Sequence, residues 1–571
     1  MPTLEWIGKA AVVNHHRDVP FRLLKENKAL TVGGSNSGNV LVQGDNLIAL
    51  KALLPYYAGK VKCIYIDPPY NTGNEKWAYN DNVNSLEIKE WLGKVVGKEG
   101  DDLSRHDKWL CMMYPRLRLL KEFLQQDGVI LISIDDNELA SLKLLIAELF
   151  GEGNVLATLV WEKGKKGDSK FFSVTHEYIV VVAKNKSTLV KNDIKWRKRK
   201  EGIEKALDYY QSLRNQGLDH ETIHKEMMKW YRSLPKGDPS KNHKHYKWSD
   251  DRGLYFAADF SGPDDGRDSR PRYDILHPVT GKPCRIPSTG WRWDPETTIQ
   301  ALNENPQRIH FGKDEKTIPC RKSYLFEIDE EPFTSVFYKD GRAATIAVEN
   351  ILGPGAFPFP KDVDVLVDLI GMICEKGDII LDSFAGSGTT AEVVLRLNHS
   401  DSGKRKFVLI ELERDICREK TKKRIQSIIS GYSIEGKKGN TIQVPGLGGG
   451  FTYYELGDTI LNEDGFLNPD IMVQDLARFV FYLATESPMS EWREDTPFLG
   501  SSNGIGVYLM HPSIQQGQGD DVSVLTKESL EGLPPFDGPR IIYADSCLLT
   551  DEQLRKLQIT FKQIPYSLEV S

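Results

Sequence analysis

The sequence predicts an α/β protein: a mostly parallel sheet covered on both faces, divided by an inserted segment and followed by a small C-terminal α/β domain. Three observations support this prediction. Short apolar runs of buried-strand type alternate with segments whose apolar residues recur at helical spacing. The links between these segments are short, as in strand–helix–strand units. The alternation stops near residue 187 and returns near residue 341.

The first 186 residues contain the first half of the predicted sheet. Asp45 or Asn46 can cap the helix after the first strand, and the alternative for Asp45 is an acceptor for a nucleotide ring. Pro115 interrupts the helical pattern of residues 109–125, so that helix either kinks or begins there. The predicted strands start at Val40 and cover residues 64–66, 129–134 and 175–182, and the predicted helices end near Leu54, Gln125 and Phe150.

The strand at residues 64–66 ends abruptly at two prolines, in the order Asp67, Pro68, Pro69, Tyr70. Ligands of open α/β sheets bind at the carboxyl ends of strands, where these residues are expected. Proline has no N–H, so its carbonyl is free of a strand ladder and can accept a hydrogen bond from a substrate. Acceptors beside an aromatic ring suit a flat ring with an exocyclic NH2 group. The alternative is an ordinary turn after a strand.

A second motif follows a predicted strand at residues 378–382, where Ser383 to Thr390 form the loop into the next helix. Gly386 and Gly388 permit unusual dihedral angles, and the N–H groups at the helix start can receive a carboxylate. Glu411 ends the next strand, where an acid can accept hydrogen bonds from two ribose hydroxyls. The sequence lacks Gly-Lys-Ser/Thr and Gly-x-Gly-x-x-Gly, which disfavours a P-loop NTPase and a nicotinamide enzyme. A ligand that joins an amino acid to a nucleoside fits this loop and Glu411 better than the ligands of those two classes.

Residues 187–340 form the predicted insertion, and their composition differs from that of the flanking halves. Between Ser187 and Asp250 there are 15 Lys or Arg residues against 9 Asp or Glu residues. Cations interleaved with aromatic rings suit a polyanion with stackable bases, although charged runs are also typical of solvated surfaces. The candidate DNA-binding residues are Lys195, Arg197, Lys198, Arg199, Lys200, Arg270, Arg272, Trp291 and Arg292.

Composition excludes several classes of protein. The net charge is −7, so a DNA-facing surface would have to be local. The start of the chain lacks a signal peptide, and no apolar run approaches membrane-spanning length, so we expect a cytoplasmic protein without a membrane partner. The seven cysteines are scattered without a Cys-x-x-Cys pair, which favours reduced thiols and argues against a metal site.

The two motifs together resemble the β-class, circularly permuted amino-methyltransferases of DNA, over residues 40–186 and 351–425. The resemblance implies a permuted Rossmann-like methyltransferase sheet with an inserted target-recognition domain, and S-adenosyl-L-methionine as the methyl donor. The longer run from Asp67 to Asn74, the segment Trp291-Arg292-Trp293 and the ending at residues 561–566 are similar to the modification subunits of type III restriction systems.

The resemblance also implies roles for individual residues. Asp67 and the Pro68 carbonyl would hold the N6 hydrogens of a target adenine, beside Pro69, and Tyr70 would stack on the ring. An Asp at the first position goes mainly with adenine N6. The implied donor-binding residues are Asp45 (adenine end), Lys361 (bordering the donor), Asp382 (amino group), Glu411 (ribose) and the loop residues Phe384, Ala385, Gly386, Ser387, Gly388 and Thr389.

The implied function is site-specific methylation of N6 of a flipped-out adenine in double-stranded DNA, as part of a restriction–modification system. The expected partners are a restriction (helicase–nuclease) subunit and a second copy of the chain, in a homodimer. The alternatives are a non-catalytic DNA-specificity module and a methyltransferase of RNA or of a protein amide. The predicted domains are 1–186 (catalytic half), 187–340 (DNA recognition), 341–430 (donor-binding half) and 431–571 (docking or oligomerisation).

Overall fold

The computed structural model describes residues 4–33, 37–72, 105–164, 170–263, 270–435, 440–462, 464–514, 523–565 and 568. The chain forms two compact units. The first unit consists of residues 1–195 and 334–571, and the second consists of residues 196–333.

The strands are, in chain order, β1 Arg22–Glu26, β2 Val40–Gln43, β3 Val61–Ile66, β4 Leu124–Ile134, β5 Val155–Glu162, β6 His176–Ala183, β7 Lys198–Arg199, β8 Trp248–Asp250, β9 Gly253–Ala258, β10 Ile309–His310, β11 Cys320–Tyr324, β12 Glu330–Glu331, β13 Val336–Tyr338, β14 Ile379–Asp382, β15 Lys406–Glu411, β16 Gly431–Glu435, β17 Thr441–Pro445, β18 Thr452–Thr459, β19 Phe498–Ser502, β20 Ile505–Leu509, β21 Val524–Leu525, β22 Arg540–Ala544, β23 Ser546–Cys547 and β24 Ile559–Gln563.

The α-helices among the described residues are α1 Lys9–Val12, α2 His15–Asp18, α3 Asn46–Tyr57, α4 Arg105–Phe123, α5 Leu139–Phe150, α6 Lys186–Lys191, α7 Ile203–Asn215, α8 His220–Ser233, α9 Pro295–Asn303, α10 Gly341–Leu352, α11 Val363–Ile373, α12 Thr389–Asp401, α13 Arg414–Ile416, α14 Lys422–Ser430, α15 Val473–Thr485, α16 Lys527–Glu531 and α17 Asp551–Lys556. Pro115 lies inside α4, which begins well before it. The helix continues through the proline because buried side chains on both sides of it stabilise the helix by packing.

A ten-stranded sheet organises the first unit, in the order β1-β18-β2-β15-β14-β3-β4-β6-β5-β13. The strands from β18 to β4 run parallel to one another. β6 runs antiparallel to both β4 and β5. The ends of β2, β15, β14, β3, β4 and β5 therefore lie at one edge of the sheet, together with the start of β6. We call this edge the carboxyl edge.

Both faces of this sheet are covered, because every residue of β3 is buried. Ile64 and Ile66 belong to a core shared with residues of α3, α4, α5 and α15. Strands buried on both faces are expected to be continuously apolar, and residues 63–66 of β3 and 129–132 of β4 show this pattern. The predicted α/β fold with a Rossmann-like, mostly parallel sheet is confirmed.

The C-terminal part departs from the predicted boundary at residue 431. β18 pairs with β2 in parallel and with β1 in antiparallel orientation, so residues 452–459 belong to the central sheet. The core containing α3 also includes buried residues of α15 and Val507 and Leu509 of β20. The local sequence near residue 431 does not reveal that β2, without β18, would be left at the edge of the sheet.

The second unit contains a four-stranded antiparallel sheet, β10-β11-β9-β8, and the helices α7, α8 and α9. One of its cores packs α7 and α8 around Tyr210, Met227 and Tyr246, and another surrounds Trp291. The compact unit spans 196–333, whereas the predicted insertion spanned 187–340. No helix among the residues described for the whole chain is both long enough and apolar enough to cross a membrane.

Candidate active site

The two sequence motifs lie at the ends of neighbouring strands. β3 and β14 are hydrogen-bonded in parallel, with Ile64 opposite Leu381. Asp67 follows the end of β3, and Phe384 follows the end of β14, so both lie at the carboxyl edge. This arrangement is the one that ligand-binding α/β sheets use.

The turn after β3 is held by its neighbours. The Pro69 carbonyl accepts a hydrogen bond of 2.7 Å from Nε1 of Trp109 in α4. Asn71 is fully buried in a left-handed conformation (φ 58°), and its Nδ2 donates to the Arg105 carbonyl at 3.1 Å. No described residue donates a hydrogen bond to the Pro68 carbonyl. Of the two proline carbonyls, Pro68 is therefore the better placed to receive a ligand.

Lys361 contacts this turn directly. Its ammonium lies 3.0 Å from Oδ1 of Asp67 and donates at 2.5 Å to the Tyr70 hydroxyl. It also donates to both carboxylate oxygens of Glu177, at 3.0 and 3.1 Å. The role of Lys361 beside the donor stays a prediction, and its described contacts are with the Asp67 turn and Glu177.

The electrostatics of this cluster reflect burial opposed by ion pairing. Burial lowers the pKa of Lys361, but the charges of Asp67 and Glu177 outweigh it and hold the pKa above the ordinary lysine value. Burial raises the pKa of Glu177, but Lys361 and Lys163 outweigh it and bring the pKa below the ordinary value. Burial, followed by the charge of Lys361, lowers the pKa of Lys163 to about 8. Burial raises the pKa of Tyr70, so its hydroxyl is neutral near pH 7.

The loop after β14 is fixed by the side chain of Asp382. One carboxylate oxygen accepts from the Phe384 N–H at 2.9 Å and the other from the Thr390 hydroxyl at 2.6 Å. Burial raises the pKa of Asp382 to about 7. The Ser383 hydroxyl is buried and has no hydrogen-bond partner among the described residues.

Glu411 and two glycines complete the loop. Gly386 and Gly388 have φ angles of 52° and 83°, the left-handed region that favours glycine. The Gly386 N–H donates to Oε2 of Glu411 at 2.7 Å, and the Glu413 N–H donates to Oε1 at 3.0 Å. Glu411 therefore supports the loop, and its carboxylate has room for further acceptor contacts.

Arg424 of α14, which the sequence analysis missed, braces the same loop. Its guanidinium donates to the hydroxyls of Ser387 and Thr389 at 2.6 and 3.1 Å and pairs with Glu392 at 2.8 Å. The hydroxyls of Ser387 and Thr389 are thus used as acceptors within the protein. An Arg among the apolar positions of an amphipathic helix was the available signal.

Asp45 occupies its ordinary capping position. Its carboxylate accepts from the N–H groups of Leu47 and Ile48 at 2.9 and 3.1 Å and lies 3.1 Å from the guanidinium of Arg116. The neighbouring Asn46 donates to the Ser383 carbonyl at 3.1 Å, which ties the start of α3 to the second motif. A role of Asp45 at a nucleotide ring stays a prediction.

Glu177 is a second residue of the site that the sequence analysis missed. His176 and Tyr178 hydrogen-bond to each other at 2.8 Å, and Tyr178 donates to Asp136 at 2.8 Å. Glu177 points to the opposite face of β6, because side chains alternate along a strand. A carboxylate inside an otherwise apolar buried strand was the signal, since such a group needs a cation.

The candidate DNA-binding residues divide by exposure. Lys195, Arg197, Arg199, Arg272 and Arg292 are exposed, and Lys198, Lys200 and Arg270 are half-buried. Several already have local partners: Lys195 with Asp193, Arg199 with Glu204, Lys200 with the Ile328 carbonyl and Arg272 with the Ser288 carbonyl.

Trp291 is a correction to this set. It is fully buried, packs against Phe260 and donates from Nε1 to the Tyr273 carbonyl at 2.8 Å. A tryptophan flanked by cations in sequence suggested base stacking, but its ring is needed to fill a core of the second unit.

Comparisons with known proteins agree with this geometry. A family model described as DNA methylase, of the N6/N4 methyltransferase type, matches residues 61–423. The EcoP15I Mod subunit of a type III restriction-modification enzyme of Escherichia coli is 33% identical over 76% of this chain and 67% of its own length. The EcoPI Mod subunit of Escherichia phage P1 is 35% identical over 75% of this chain and 68% of its own length. The type II methyltransferase M.KpnI of Klebsiella pneumoniae is 28% identical over 69% and 85%, respectively. The protein is therefore a member of the DNA methylase family, similar to the modification subunits of type III restriction–modification enzymes.

Proposed function

We propose that this DNA methyltransferase transfers a methyl group from S-adenosylmethionine to N6 of an adenine in duplex DNA. The observation that carries the proposal is the adjacency of the Asp67 turn and the Phe384 loop at the ends of two parallel neighbouring strands. One motif presents hydrogen-bond acceptors beside an aromatic ring, and the other presents a glycine-rich helix start beside a buried acid.

The Phe384 loop fits the amino-acid end of the donor. Asp382 supplies a buried carboxylate that suits an ammonium group, and the Ser383 hydroxyl is a buried polar group without a described partner. α12 begins at Thr389, and N–H groups in its first turn suit the donor's carboxylate. Glu411 suits the ribose hydroxyls. When bound, the donor supplies a methyl group on a positively charged sulfur, which leaves as a neutral thioether.

The Asp67 turn fits the exocyclic amine of adenine. Asp67 and the Pro68 carbonyl accept the two N6 hydrogens and direct the nitrogen lone pair away from the ring system. Tyr70 provides a ring surface on which the base stacks. The proton that N6 loses after gaining the methyl group passes to Asp67 or to water. Positioning and electrostatics are then the main contributions to rate.

The target base has to leave the duplex to reach this turn, because its N6 group is otherwise paired within the stack. Extrusion costs a few kcal/mol, and stacking on Tyr70 offsets part of that cost. We assign recognition of the surrounding sequence to residues 187–340, where the exposed cations lie. We further propose a restriction subunit and a second copy of the chain as partners.

The deciding experiment is single-molecule methylation sequencing of DNA from cells that express the chain, combined with nucleoside analysis of the same DNA. The proposal expects N6-methyladenine in one sequence context. N4-methylcytosine would overturn the assignment of the target atom, and methylation of RNA or protein in place of DNA would overturn the substrate. Cells that express Asp67→Ala provide the matched control and should show unmodified DNA. An unmodified genome with the wild-type chain, despite DNA binding, would indicate the non-catalytic specificity module.

A further inference from the structure

The Asp67 turn is connected to a buried network of charged side chains behind it. Lys361 is the centre of this network and lies in the segment just before α11. Its ammonium donates to the Glu177 carboxylate and to the Tyr70 hydroxyl, and it forms an ion pair with the Asp67 carboxylate. The network therefore joins both side chains that the proposed reaction uses on the target base.

Glu177 has no role in the proposed chemistry, yet it is buried and contacts several polar side chains. Both of its carboxylate oxygens accept hydrogen bonds from the Lys361 ammonium, and the Lys163 ammonium lies 2.5 Å from Oε2. The Tyr70 hydroxyl donates to the same oxygen at 3.3 Å. Lys163 follows the end of β5, and Glu177 lies near the start of β6, so the support comes from two strands that do not carry the motifs.

The charges of the network balance. Asp67 and Glu177 supply two negative charges, and Lys361 and Lys163 supply two positive charges. Because Glu177 shares the Lys361 ammonium, Asp67 does not have to neutralise that cation alone. Its second oxygen therefore keeps its strength as an acceptor for an amine that becomes positively charged during transfer.

We propose that Glu177, acting through Lys361, is a positioning residue for methyl transfer: it fixes the Asp67 carboxylate and the Tyr70 ring in the orientation that receives the target amine. Lys163 holds Glu177 and completes the charge balance. The inference rests on the proposed role of Asp67 and adds residues from β5, β6 and the segment before α11 to the site. Near-attack geometry is sensitive to small displacements, so loss of this support should lower the rate of the chemical step.

The test is the variant Glu177→Gln in the full-length protein, with methyl transfer to DNA measured under single-turnover conditions. We expect the single-turnover rate constant to fall on the order of 100-fold, with the Kd for S-adenosylmethionine and the Kd for DNA changed less than about twofold. This split separates positioning from a general structural role, which would weaken donor binding or lower Tm. The matched control is Glu122→Gln, which removes a partly buried carboxylate at the C-terminal end of α4. It should keep the wild-type rate.

A second variant keeps the inference testable if Glu177→Gln alone folds poorly. Glu177→Gln combined with Lys163→Met removes one charge of each sign and so restores the balance. If Lys163 acts only through Glu177, the double variant should be no slower than Glu177→Gln. A wild-type rate in either variant, or a loss of rate that follows a loss of Tm or of donor affinity, would overturn the inference. Failure of the wild-type chain to methylate DNA would instead overturn the proposed function itself.

Discussion

Asp67 and Asp382 are the two acids closest to the ends of β3 and β14, and they differ in their surroundings. Asp67 lies 3.0 Å from a lysine ammonium, whereas Asp382 is buried with only neutral donors, the Phe384 N–H and the Thr390 hydroxyl. The first arrangement gives the carboxylate a cation as its partner before an amine is bound. The second leaves the carboxylate in need of a cation, which the ammonium group of an amino-acid donor supplies.

Replacing Asp67 with Ala should abolish methyl transfer, with a loss of at least about 100-fold, because the amine loses an acceptor and its negative counter-charge. Folding should be largely preserved, since Lys361 keeps Glu177 as a partner. Methyl incorporation into DNA and thermal unfolding are the measurements. Undiminished turnover would refute the role assigned to Asp67.

The affinity for S-adenosylmethionine should rise with pH between about 6 and 8. Burial places the pKa of Asp382 at about 7 in the folded protein, above its value in an unfolded chain, so the folded protein retains a proton there up to about pH 7. The buried carboxyl group therefore costs stability progressively as the pH rises from about 4, where an unfolded chain ionises, to about 7, and a bound ammonium offsets that cost. Binding at lower pH therefore has to release a proton, which weakens it by up to about tenfold per pH unit.

Calorimetric titrations at several pH values check this expectation, and the increase in Tm caused by the donor should likewise be larger at pH 8 than at pH 6. Asp382→Asn cannot ionise, so its donor affinity should be weaker and independent of pH. A wild-type affinity that stays constant from pH 6 to pH 8 would contradict the placement of the donor's amino group at Asp382.

At the scale of elements, the start of α12 depends on α14. Gly388 precedes α12 in a left-handed conformation, and a Cβ there would lie 3.2 Å from Thr421 and 3.3 Å from Ile425. Arg424 then fixes Ser387 and Thr389 from the same direction. The Phe384 loop is thus held by packing and by the buried Arg424 guanidinium, so its N–H groups are oriented before any ligand binds.

Arg424→Met should lower the free energy of unfolding by about 3–5 kcal/mol, because it leaves the buried Glu392 carboxylate without this partner. Arg396→Met is the matched control. Arg396 also pairs with Glu392, at 2.6 Å, but its side chain is 42% exposed, so its loss should cost less than about 1 kcal/mol. Urea denaturation measures both. Equal effects of the two substitutions would show that burial of Arg424 does not decide its contribution.

At the scale of the whole molecule, catalysis and recognition are assigned to different compact units. The motifs and the Lys361 network belong to the unit of residues 1–195 and 334–571, and most of the candidate DNA-binding cations belong to residues 196–333. The net charge of the chain is negative, so the affinity for DNA has to come from local patches rather than from the overall field.

Reversing the charges of Arg197 and Arg199 to Glu should weaken DNA binding and flatten its salt dependence. For each phosphate that the variant no longer neutralises, the slope of log K against log salt should become shallower by about 0.9. Fluorescence anisotropy over a range of salt concentrations measures this slope. The charge-matched control is Lys225→Glu with Lys229→Glu, two exposed cations of α8 outside the predicted clusters. If both pairs change the slope equally, the 195–200 segment has no special place in the interface.

The sequence determined the fold class and the positions of the two motifs, because both depend on local chemistry. Apolar runs of strand length predict a sheet covered on both faces. The two prolines after Asp67 prevent β3 from continuing, and Gly386 and Gly388 allow the loop before α12 to turn. The resemblance to DNA methyltransferases, which the comparisons confirm, rests on those same residues. The basic run around Arg197 was also predictable, since a cluster of charges is visible without a structure.

Only the tertiary structure decided which side chains meet. Trp291 lies among cations in the sequence, but packing buries it, whereas Glu177 lies in an apolar strand and is drawn to Lys361, 184 positions away. Arg424 and Glu392 meet because α12 and α14 pack together. β18 pairs with β2 because the free side of an outer strand can form hydrogen bonds with any strand that reaches it. Buried charges and free strand edges require partners, but no local pattern names the partner; the fold supplies it.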